Sequence, residues 1–380
     1  MKQLSIYIHV PFCKKKCLYC DFPSFSGCEN IYEDYVNSLI FELRDNAIEA
    51  REYEIATIFI GGGTPTVLPP KQLGRVLDTI FNKYNVKSDA EITIEANPGT
   101  VNGQVLKELK SMCINRISFG VQAWQNSLLK SLGRIHTNEI FVHNFNEARD
   151  VGFKNISCDL MFSLPNQTLM DWEETLEKIM LLNPEHISAY SLIIEDGTPF
   201  KTMYEKGIFK ATDEALDREM YYLAREMLKD KGYNQYEISN FAKQGFESRH
   251  NIVYWNTKEY LGFGLGAHSY MGGKRFHNTY SMADYISSKG NIIKLRKDIE
   301  ILSKEEKIEE FMFMGLRMTE GISICEFKKR FNIAVTDIFK DSIEYLIDQK
   351  LLYIKEDRLA LTDKGMDISN FVFEKFIINS

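Results

Sequence analysis

Three cysteines near the start of the chain have the spacing of a metal-cluster site. Cys13, Cys17 and Cys20 form a C-x3-C-x2-C pattern within the segment YIHVPFCKKKCLYCDF. Iron–sulfur clusters are held by cysteine thiolates, and a four-iron cluster offers one coordination position at each iron. Three local thiolates therefore predict a [4Fe-4S] cluster in which one iron is left open to bind another molecule.

The same triad could instead belong to a site with a fourth cysteine ligand, to a zinc site or to a disulfide. Cys28 follows a turn-rich stretch and is an alternative fourth ligand. Zinc would need a second cysteine pair or well-spaced histidines, and nearby His9 lies in an apolar, strand-like run. Seven cysteines in 380 residues do not make a disulfide scaffold, and we see no secretory leader. We expect the open cluster, in the reducing cytoplasm.

The composition is that of an ordinary globular protein. Hydrophobic residues make up 44% of the chain and charged residues 26%, and the formal net charge is −7. This charge gives no general attraction to nucleic acid or to an anionic membrane surface. No run approaches the ~18 apolar residues that a transmembrane helix needs, so we expect no transmembrane segment.

The first 200 residues alternate short β-branched runs with amphipathic stretches. Strands are predicted at 4–10, 56–60, 91–96, 116–121, 156–162 and 186–192. Helices are predicted at 31–50, 71–84, 103–112, 137–151 and 169–182. Six strand–helix units in series indicate a parallel sheet with right-handed crossovers, and eight would close a barrel. We therefore predict an α/β fold, a partial (β/α)6 barrel related to the TIM barrel.

Polar or glycine-rich residues stand at the ends of five consecutive predicted strands. They are Cys13 after the first strand, the Gly61–Thr66 run after the second, the Glu95–Thr100 run at the third, Gln122 after the fourth, and Leu164 and Pro165 after the fifth, which contains Asp159. Each alone is compatible with a simple turn. Together they predict one ligand site, because the loops at the carboxyl ends of barrel strands meet on one face.

The last part of the chain has a different pattern. After about residue 295 the predicted order is three helices, two short strands and a terminal helix, which resembles a winged-helix domain. We predict a barrel domain at 1–295, with an extension at its end, and a small winged-helix-like α+β domain at 296–380. Winged helices often bind DNA, but this segment has a net charge of −3, which favours a scaffold or lid role.

The ordered motifs resemble those of the radical S-adenosylmethionine superfamily. They are CKKKCLYC, GGGTPT, IEANPGT, NRISFGVQ, SLGRIH and CDLMFSLPNQT. The resemblance extends to the group that contains oxygen-independent coproporphyrinogen III oxidase. It implies that Cys13, Cys17 and Cys20 ligate a [4Fe-4S] cluster and that S-adenosyl-L-methionine chelates the open iron. One electron from the reduced cluster then cleaves that cofactor to a 5′-deoxyadenosyl radical.

The same resemblance implies roles for further residues. Backbone groups at Gly62, Gly63 and Thr64 line the methionine end of S-adenosylmethionine, and Tyr7 and Tyr19 flank the cluster or cofactor. The residues expected to contact S-adenosylmethionine are Glu95, Gln122, Arg134 and Asp159. A guanidinium such as that of Arg134 suits a carboxylate because it makes paired hydrogen bonds. The alternatives are a loop-capping Asp159 and a surface ion pair at Arg134.

Two features separate this chain from the oxidase that it resembles. The oxidase carries a further cysteine two residues after the third cluster cysteine, where this chain has Phe22. The string HNxxYW, formed by His250, Asn251, Tyr254 and Trp255, resembles a group of oxidase relatives that act as heme chaperones. Imidazole is a common heme ligand, so His250 is a candidate contact to heme and His268 is a second one. Alternatively, His250 makes structural hydrogen bonds and Trp255 fills the core.

We predict a heme chaperone that keeps its cluster and its S-adenosylmethionine pocket. Its partners would be heme and heme-accepting proteins, such as those of respiratory chains, with membrane association only through an acceptor. Relatives suggest a homodimer when the cluster is loaded. The alternative is a radical enzyme that decarboxylates coproporphyrinogen III, so we leave open whether the chain is an enzyme. A third hypothesis is a DNA-linked regulator, although we expect no nucleic acid partner.

Overall fold

Six strands alternate with helices in the first half of the computed structural model, which describes residues 1–378, and two helices follow the fourth of these strands. The strands are β1 (Lys2–Val10), β2 (Tyr53–Gly62), β3 (Asn85–Ala96), β4 (Arg116–Gln122), β5 (Ile156–Phe162) and β6 (His186–Ser191). The helices are α1 (Tyr32–Asn46), α2 (Pro70–Lys83), α3 (Gly103–Ser111), α4 (Asn126–Ser131), α5 (Asn138–Asp150) and α6 (Leu169–Leu182). Neighbouring strands from β1 to β6 pair in parallel and in chain order, which confirms the predicted partial barrel. Helix α4 has no counterpart among the predicted helices.

The segment after β6 extends the sheet at both of its edges. It contains α7 (Pro199–Glu205), α8 (Glu214–Asp230), β7 (Asn234–Glu237), β8 (Asn240–Ala242), α9 (Arg249–Trp255), β9 (Tyr260–Phe263), β10 (His268–Met271), β11 (Lys274–Asn278), α10 (Met282–Ser288), α11 (Ile292–Leu295) and β12 (Arg296–Ile301). The sheet order is β12-β11-β10-β9-β1-β2-β3-β4-β5-β6-β8-β7. Strands β12 and β7 are therefore its edges, and the barrel stays incomplete.

The parallel strands are apolar on both faces because helices cover the outside and side chains fill the inside. In β5, which reads ISCDLMF, every residue is buried except Asp159, which is half-buried. Placing an ionised carboxylate among apolar side chains lowers the stability of the fold unless hydrogen-bond partners or a ligand compensate its charge. This position marks the functional face of the sheet.

The end of the chain packs around its own apolar cluster. It contains α12 (Lys304–Gly315), β13 (Ile322–Ser323), α13 (Ile324–Phe331), α14 (Val335–Asp348), β14 (Leu352–Lys355), β15 (Arg358–Leu361), α15 (Asp363–Asp367) and α16 (Ser369–Glu374). Strands β13, β15 and β14 form a small antiparallel sheet, as expected for a winged-helix-like unit. The division at residues 295/296 stays a prediction, and β12, just after it, pairs with β11 of the large sheet.

Within residues 1–378 we find no helix whose length and apolar character would let it cross a bilayer.

Candidate cofactor site

The cysteine loop follows β1 and is fixed to the barrel by backbone hydrogen bonds. The N–H of Cys13 donates to the carbonyl of Phe25 (2.8 Å), and the N–H of Leu18 donates to the carbonyl of Leu132 (3.0 Å). Cys13 is buried, the other two cysteines of the triad are half-buried, and all three are free thiols. The loop therefore presents three unpaired thiols at the carboxyl end of the first strand.

One cavity of about 140 Å³ brings most of the predicted site together, and we call it the cysteine cavity. It is lined by Cys13, Cys17, Cys20, Tyr19, Gly62, Gly63, Thr64, Glu95, Gln122, Arg134 and Asp159. Most of these residues lie at the ends of β2 to β4 or in the loop after β1, whereas Asp159 lies in the middle of β5 and Arg134 lies between α4 and α5. The placement agrees with the rule that barrel sites form where parallel strands end.

Two glycines allow the end of β2 to pack closely against the cysteine loop. A Cβ atom on Gly63 would lie 2.6 Å from the carbonyl oxygen of Phe12 and 3.0 Å from Cys13 Sγ. Gly62 has φ +112°, and its Cβ would lie 2.6 Å from the ring of His9. Any side chain here would displace the loop or fill the space beside the sulfur. The backbone of β2 is thereby free to approach a ligand.

A hydrogen-bond chain connects Arg134 to two of the cysteines. Its Nη1 donates to Cys17 Sγ (3.5 Å), and its Nη2 donates to Asn97 Oδ1 (2.7 Å). Asn97 Nδ2 donates to Thr64 Oγ1 (2.7 Å), and that hydroxyl donates to Cys13 Sγ (3.6 Å). A cation and two donors next to sulfur stabilise a thiolate. Asn97 was not among the predicted site residues, although its position just past the end of β3 is a usable signal.

Two carboxyl groups face the cysteine cavity. Burial raises the pKa of Glu95 to about 8, the charge of Asp159 adds to this rise, and the N–H of Gly62 (3.1 Å) opposes it. Burial also raises the pKa of Asp159, which accepts hydrogen bonds from Ser118 Oγ at 3.0 Å to each oxygen. Two half-buried carboxyl groups that repel each other suit a positively charged ligand, which would favour the ionised form.

Gln122 reaches the cysteine cavity through an irregularity at the end of β4. Its φ of 69° is left-handed, and the pairing with β5 shifts register between Gly120 and Gln122. Such bulges re-aim side chains near ligand sites. Tyr190 donates its hydroxyl to Gln122 Oε1 (3.0 Å) and also lines the cavity. No sequence motif surrounds Tyr190, so this residue is absent from the predicted site.

Two predicted residues, Tyr7 and His250, do not line the cysteine cavity. The hydroxyl of Tyr7 lies 3.0 Å from His9 Nδ1, and its ring lines a neighbouring cavity. His250 is 1% exposed, with Nδ1 2.7 Å from Thr57 Oγ1 and Nε2 2.8 Å from the hydroxyl of Tyr254. Burial lowers the pKa of His250 to about 3. Both ring nitrogens are engaged, so this arrangement agrees with the structural alternative and opposes the predicted heme contact, which stays untested.

Comparisons with known proteins identify the family of this chain. A family model described as the radical SAM superfamily matches residues 7–179, and one described as the HemN C-terminal domain matches residues 302–368. A protein of Lactococcus lactis subsp. lactis (strain IL1403), called heme chaperone HemW, is 40% identical and covers 100% of this chain and 98% of its own length. The chain belongs to the HemW family of radical SAM proteins.

Further relatives support the family and the fold. A heme chaperone HemW of Bacillus subtilis (strain 168) is 39% identical, covering 98% of this chain and 99% of its own length. The solved coproporphyrinogen III oxidase (HemN) from Escherichia coli, described as a radical SAM enzyme, superimposes with a TM-score of 0.87 at 22% identity. The match covers 99% of this chain and 90% of that chain, and at this identity it establishes the fold alone.

The three cysteines fit a four-iron cluster better than a single metal ion. Within residues 1–378, no three His, Cys, Asp or Glu side chains converge on one ion. A four-iron cluster makes a different demand, because each cysteine binds a different iron. Three free thiols around one cavity, beside glycine backbone at Gly62 and Gly63, meet that demand. Cys28 is not among the residues that line this cavity.

Proposed function

We propose that this chain binds heme and transfers it to acceptor proteins, on a radical SAM scaffold that holds a [4Fe-4S] cluster and S-adenosylmethionine. The observation that carries the proposal is the match over nearly the whole chain, at 39–40% identity, to two proteins called heme chaperone HemW. The substitution of Phe22 for the oxidase-type cysteine supports the same conclusion, since phenylalanine supplies no thiol.

The cluster would be held by Cys13, Cys17 and Cys20, each on a different iron. Burial raises the pKa values of the Cys13 and Cys20 thiols, so iron has to supply the driving force for their deprotonation. Arg134 and Thr64 donate hydrogen bonds to sulfur in this loop. These donors would stabilise the charge on the sulfurs and hold the loop in shape while the cluster is inserted.

S-adenosylmethionine would occupy the cysteine cavity beside the open iron, where it supplies a sulfonium that can accept an electron. Arg134 would pair with the carboxylate of its methionine end, and the backbone of Gly62 and Gly63 would line that end. Glu95 and Asp159 would face its positive charges, which would favour their ionised forms against the burial that raises both pKa values. Thr64, Gln122 and Tyr19 would shape the wall and exclude water.

The central test is a heme titration of the purified protein followed by transfer. Ferric heme is added to apoprotein and the Soret band is recorded, with bound heme separated by gel filtration. We expect a stoichiometric Soret shift, and a second shift when a heme-free acceptor, such as an apocytochrome of the b type, is mixed in. A protein that binds no heme, or that never gives it up to an acceptor, would remove the proposal.

A radical enzyme on a tetrapyrrole is the second candidate. The observation in its favour is a further cavity of about 450 Å³, which we call the third cavity. It shares Glu95, Asp159 and Tyr190 with the cysteine cavity. A substrate could bind there next to S-adenosylmethionine. Anaerobic assay of reconstituted protein with dithionite separates the two candidates. Release of 5′-deoxyadenosine that coproporphyrinogen III stimulates, with formation of protoporphyrinogen IX, would establish the enzyme.

The assembly state is a further part of the proposal. We propose that cluster loading promotes a homodimer and that the heme acceptors are proteins of respiratory chains. Light scattering of the apoprotein and of the reconstituted protein at equal concentration tests the first statement. A mass that does not change on cluster loading would contradict it.

A further inference from the structure

A cavity of about 690 Å³ lies next to the cysteine cavity, and we call it the aromatic cavity. The rings in its walls are those of Tyr7, Phe22, Tyr254, Tyr260 and Tyr280. Phe22 and Tyr280 are 60% and 52% exposed, which is unusual for side chains of this size. The volume lies within the roughly 300–1,000 Å³ typical of cofactor sites, and aromatic walls suit a flat apolar ligand.

A histidine stands at this cavity in a fixed position. His268, on β10, lines the cavity, and its Nε2 lies 3.0 Å from the hydroxyl of Tyr280. The ring of His277 packs 5.1 Å from His268 and 4.9 Å from Tyr280, measured between ring centroids. His277 is held by the carbonyl of Asn278 (2.8 Å) and by Asp298 (2.9 Å). The three rings therefore form a supported cluster in which His268 lines the cavity.

The remaining histidines are less suited to bind heme iron. Three are buried with both ring nitrogens within hydrogen-bond distance of protein groups, namely His9, His186 and His250. His136 is buried beside a cavity of only about 20 Å³. His143 is exposed on α5 and lies 3.5 Å from Glu147. Both ring nitrogens of His277 lie within hydrogen-bond distance of protein groups, the carbonyl of Asn278 and the carboxylate of Asp298. His268 alone among the seven combines exposure with a large aromatic cavity.

We propose that the aromatic cavity is the heme site of this chain and that His268 is the axial ligand of the heme iron. The inference rests on the proposed function, which requires heme but does not locate it. A neutral imidazole is a common axial ligand, and binding would replace the hydrogen bond between His268 and Tyr280. The porphyrin faces would then pack against the rings of Tyr280 and Phe22.

Phe22 borders both the proposed heme site and the cavity proposed for the cluster. Its ring lines the aromatic cavity, the cysteine cavity and the third cavity. It lies two residues after Cys20, at the position where the oxidase has a further cysteine. A heme in the aromatic cavity would pack on a ring that borders the cluster site. The exchange of cysteine for phenylalanine thus replaces a reactive group by an apolar wall for heme.

The test is a heme titration of the purified full-length protein and four variants. Ferric heme is titrated into the wild type, H268A, H268M, H250A and H143A, with the Soret spectrum and the dissociation constant as readouts. We expect H268A to lose the wild-type Soret band and to bind heme about tenfold or more weakly. H268M should bind heme with a shifted spectrum and a raised reduction potential, because a thioether replaces an imidazole. H143A and H250A should retain the wild-type spectrum.

The outcomes separate the location from the function. If the wild type binds heme and H268A binds it with the same spectrum and affinity, the location is wrong and the heme-chaperone proposal stands. If the wild type binds no heme, the function itself fails. Since His268 is exposed, H268A should fold, which circular dichroism checks. If H268A does not fold, H268M replaces it in the test. A Soret spectrum of H268M that is the same as that of the wild type would then overturn the assignment of His268 as the ligand.

Discussion

The protonation of Glu95 gives a sharp test of where S-adenosylmethionine binds. The pKa of this carboxyl group is raised to about 8, first by burial and then by Asp159. At pH 7 the free protein therefore carries a proton on Glu95, whereas a cationic ligand requires the ionised form. Binding of S-adenosylmethionine must then release this proton. We therefore expect binding to strengthen as the pH rises toward 8 and to level off above it.

The size of the effect follows from the pKa. A group with a pKa of about 8 is roughly 90% protonated at pH 7, so binding releases about 0.9 proton from Glu95. Below pH 8 the dissociation constant for S-adenosylmethionine should fall by up to about tenfold for each unit by which the pH rises. A tenfold change corresponds to about 1.4 kcal/mol of binding free energy. The direction is fixed, because the proton is present only in the free protein and opposes binding at low pH.

Titration calorimetry on anaerobically reconstituted protein measures this release. Runs at pH 7 in two buffers of different ionisation enthalpy give the number of protons released on binding. The α-amino group of the ligand has a pKa near 8 and adds its own contribution, so the wild type is compared with Glu95→Gln. We expect the wild type to release about 0.9 proton more than this variant.

A second variant checks the cause of the raised pKa. Asp159→Asn removes the neighbouring charge that raises the pKa of Glu95, so proton release at pH 7 should fall below that of the wild type. Equal proton release from the wild type and Glu95→Gln would refute the reasoning. So would an affinity that does not change between pH 6 and pH 8.

The remaining predictions concern the cluster, the glycines and the buried histidine. Cys20→Ser should lose most of its iron and sulfide after reconstitution, whereas Cys28→Ser should keep about four of each, as chemical analysis would show. Gly63→Ala should fold but bind little cluster, because its Cβ would lie 3.0 Å from Cys13 Sγ. Gly74→Ala is the control and should bind as much cluster as the wild type, because its Cβ would meet only the flexible end of Met112, at 3.4 Å. His250→Ala should lower the free energy of unfolding by about 2–4 kcal/mol in denaturant titrations, because the hydroxyls of Thr57 and Tyr254 lose their hydrogen bonds to the ring. Heme binding by this variant should not weaken.

The barrel was predictable from the sequence because each repeat carries its own signal. The strands at 116–121 and 156–162 agree with the structure within one residue, since they are short, mainly apolar runs flanked by turns. The extension was harder to predict. The glycine-rich stretch around Gly262 and Gly264 contains β9, which pairs in parallel with β1 although about 250 residues separate them. Such long-range pairing leaves no local periodicity.

The cysteine cavity was predictable to the extent that its residues stand at strand ends. Cys13 and Gly63 follow β1 and β2, and Glu95 lies one residue before the end of β3, so the topology brings the three together. Tyr7 lies inside a strand and lines the aromatic cavity instead. Strand alternation indicates that Tyr7 and His9 share a face, but it does not say which cavity that face adjoins. The contribution of Tyr190 depends on a bulge at Gln122, which no sequence pattern revealed.

The HNxxYW string shows how a motif can indicate a family while its histidine makes hydrogen bonds within the protein. His250 and Tyr254 are four residues apart on α9, so one helical turn places their side chains next to each other. The hydroxyl of Tyr254 therefore lies 2.8 Å from Nε2 of His250, and Thr57 takes the other nitrogen. The backbone N–H of His250 donates to Glu91 (3.1 Å), which ties the helix to the inside of the sheet. The spacing that makes the string conspicuous is thus the spacing that gives His250 its hydrogen-bond partner. Our proposal therefore places the ligand of the heme iron at His268, which lines the aromatic cavity.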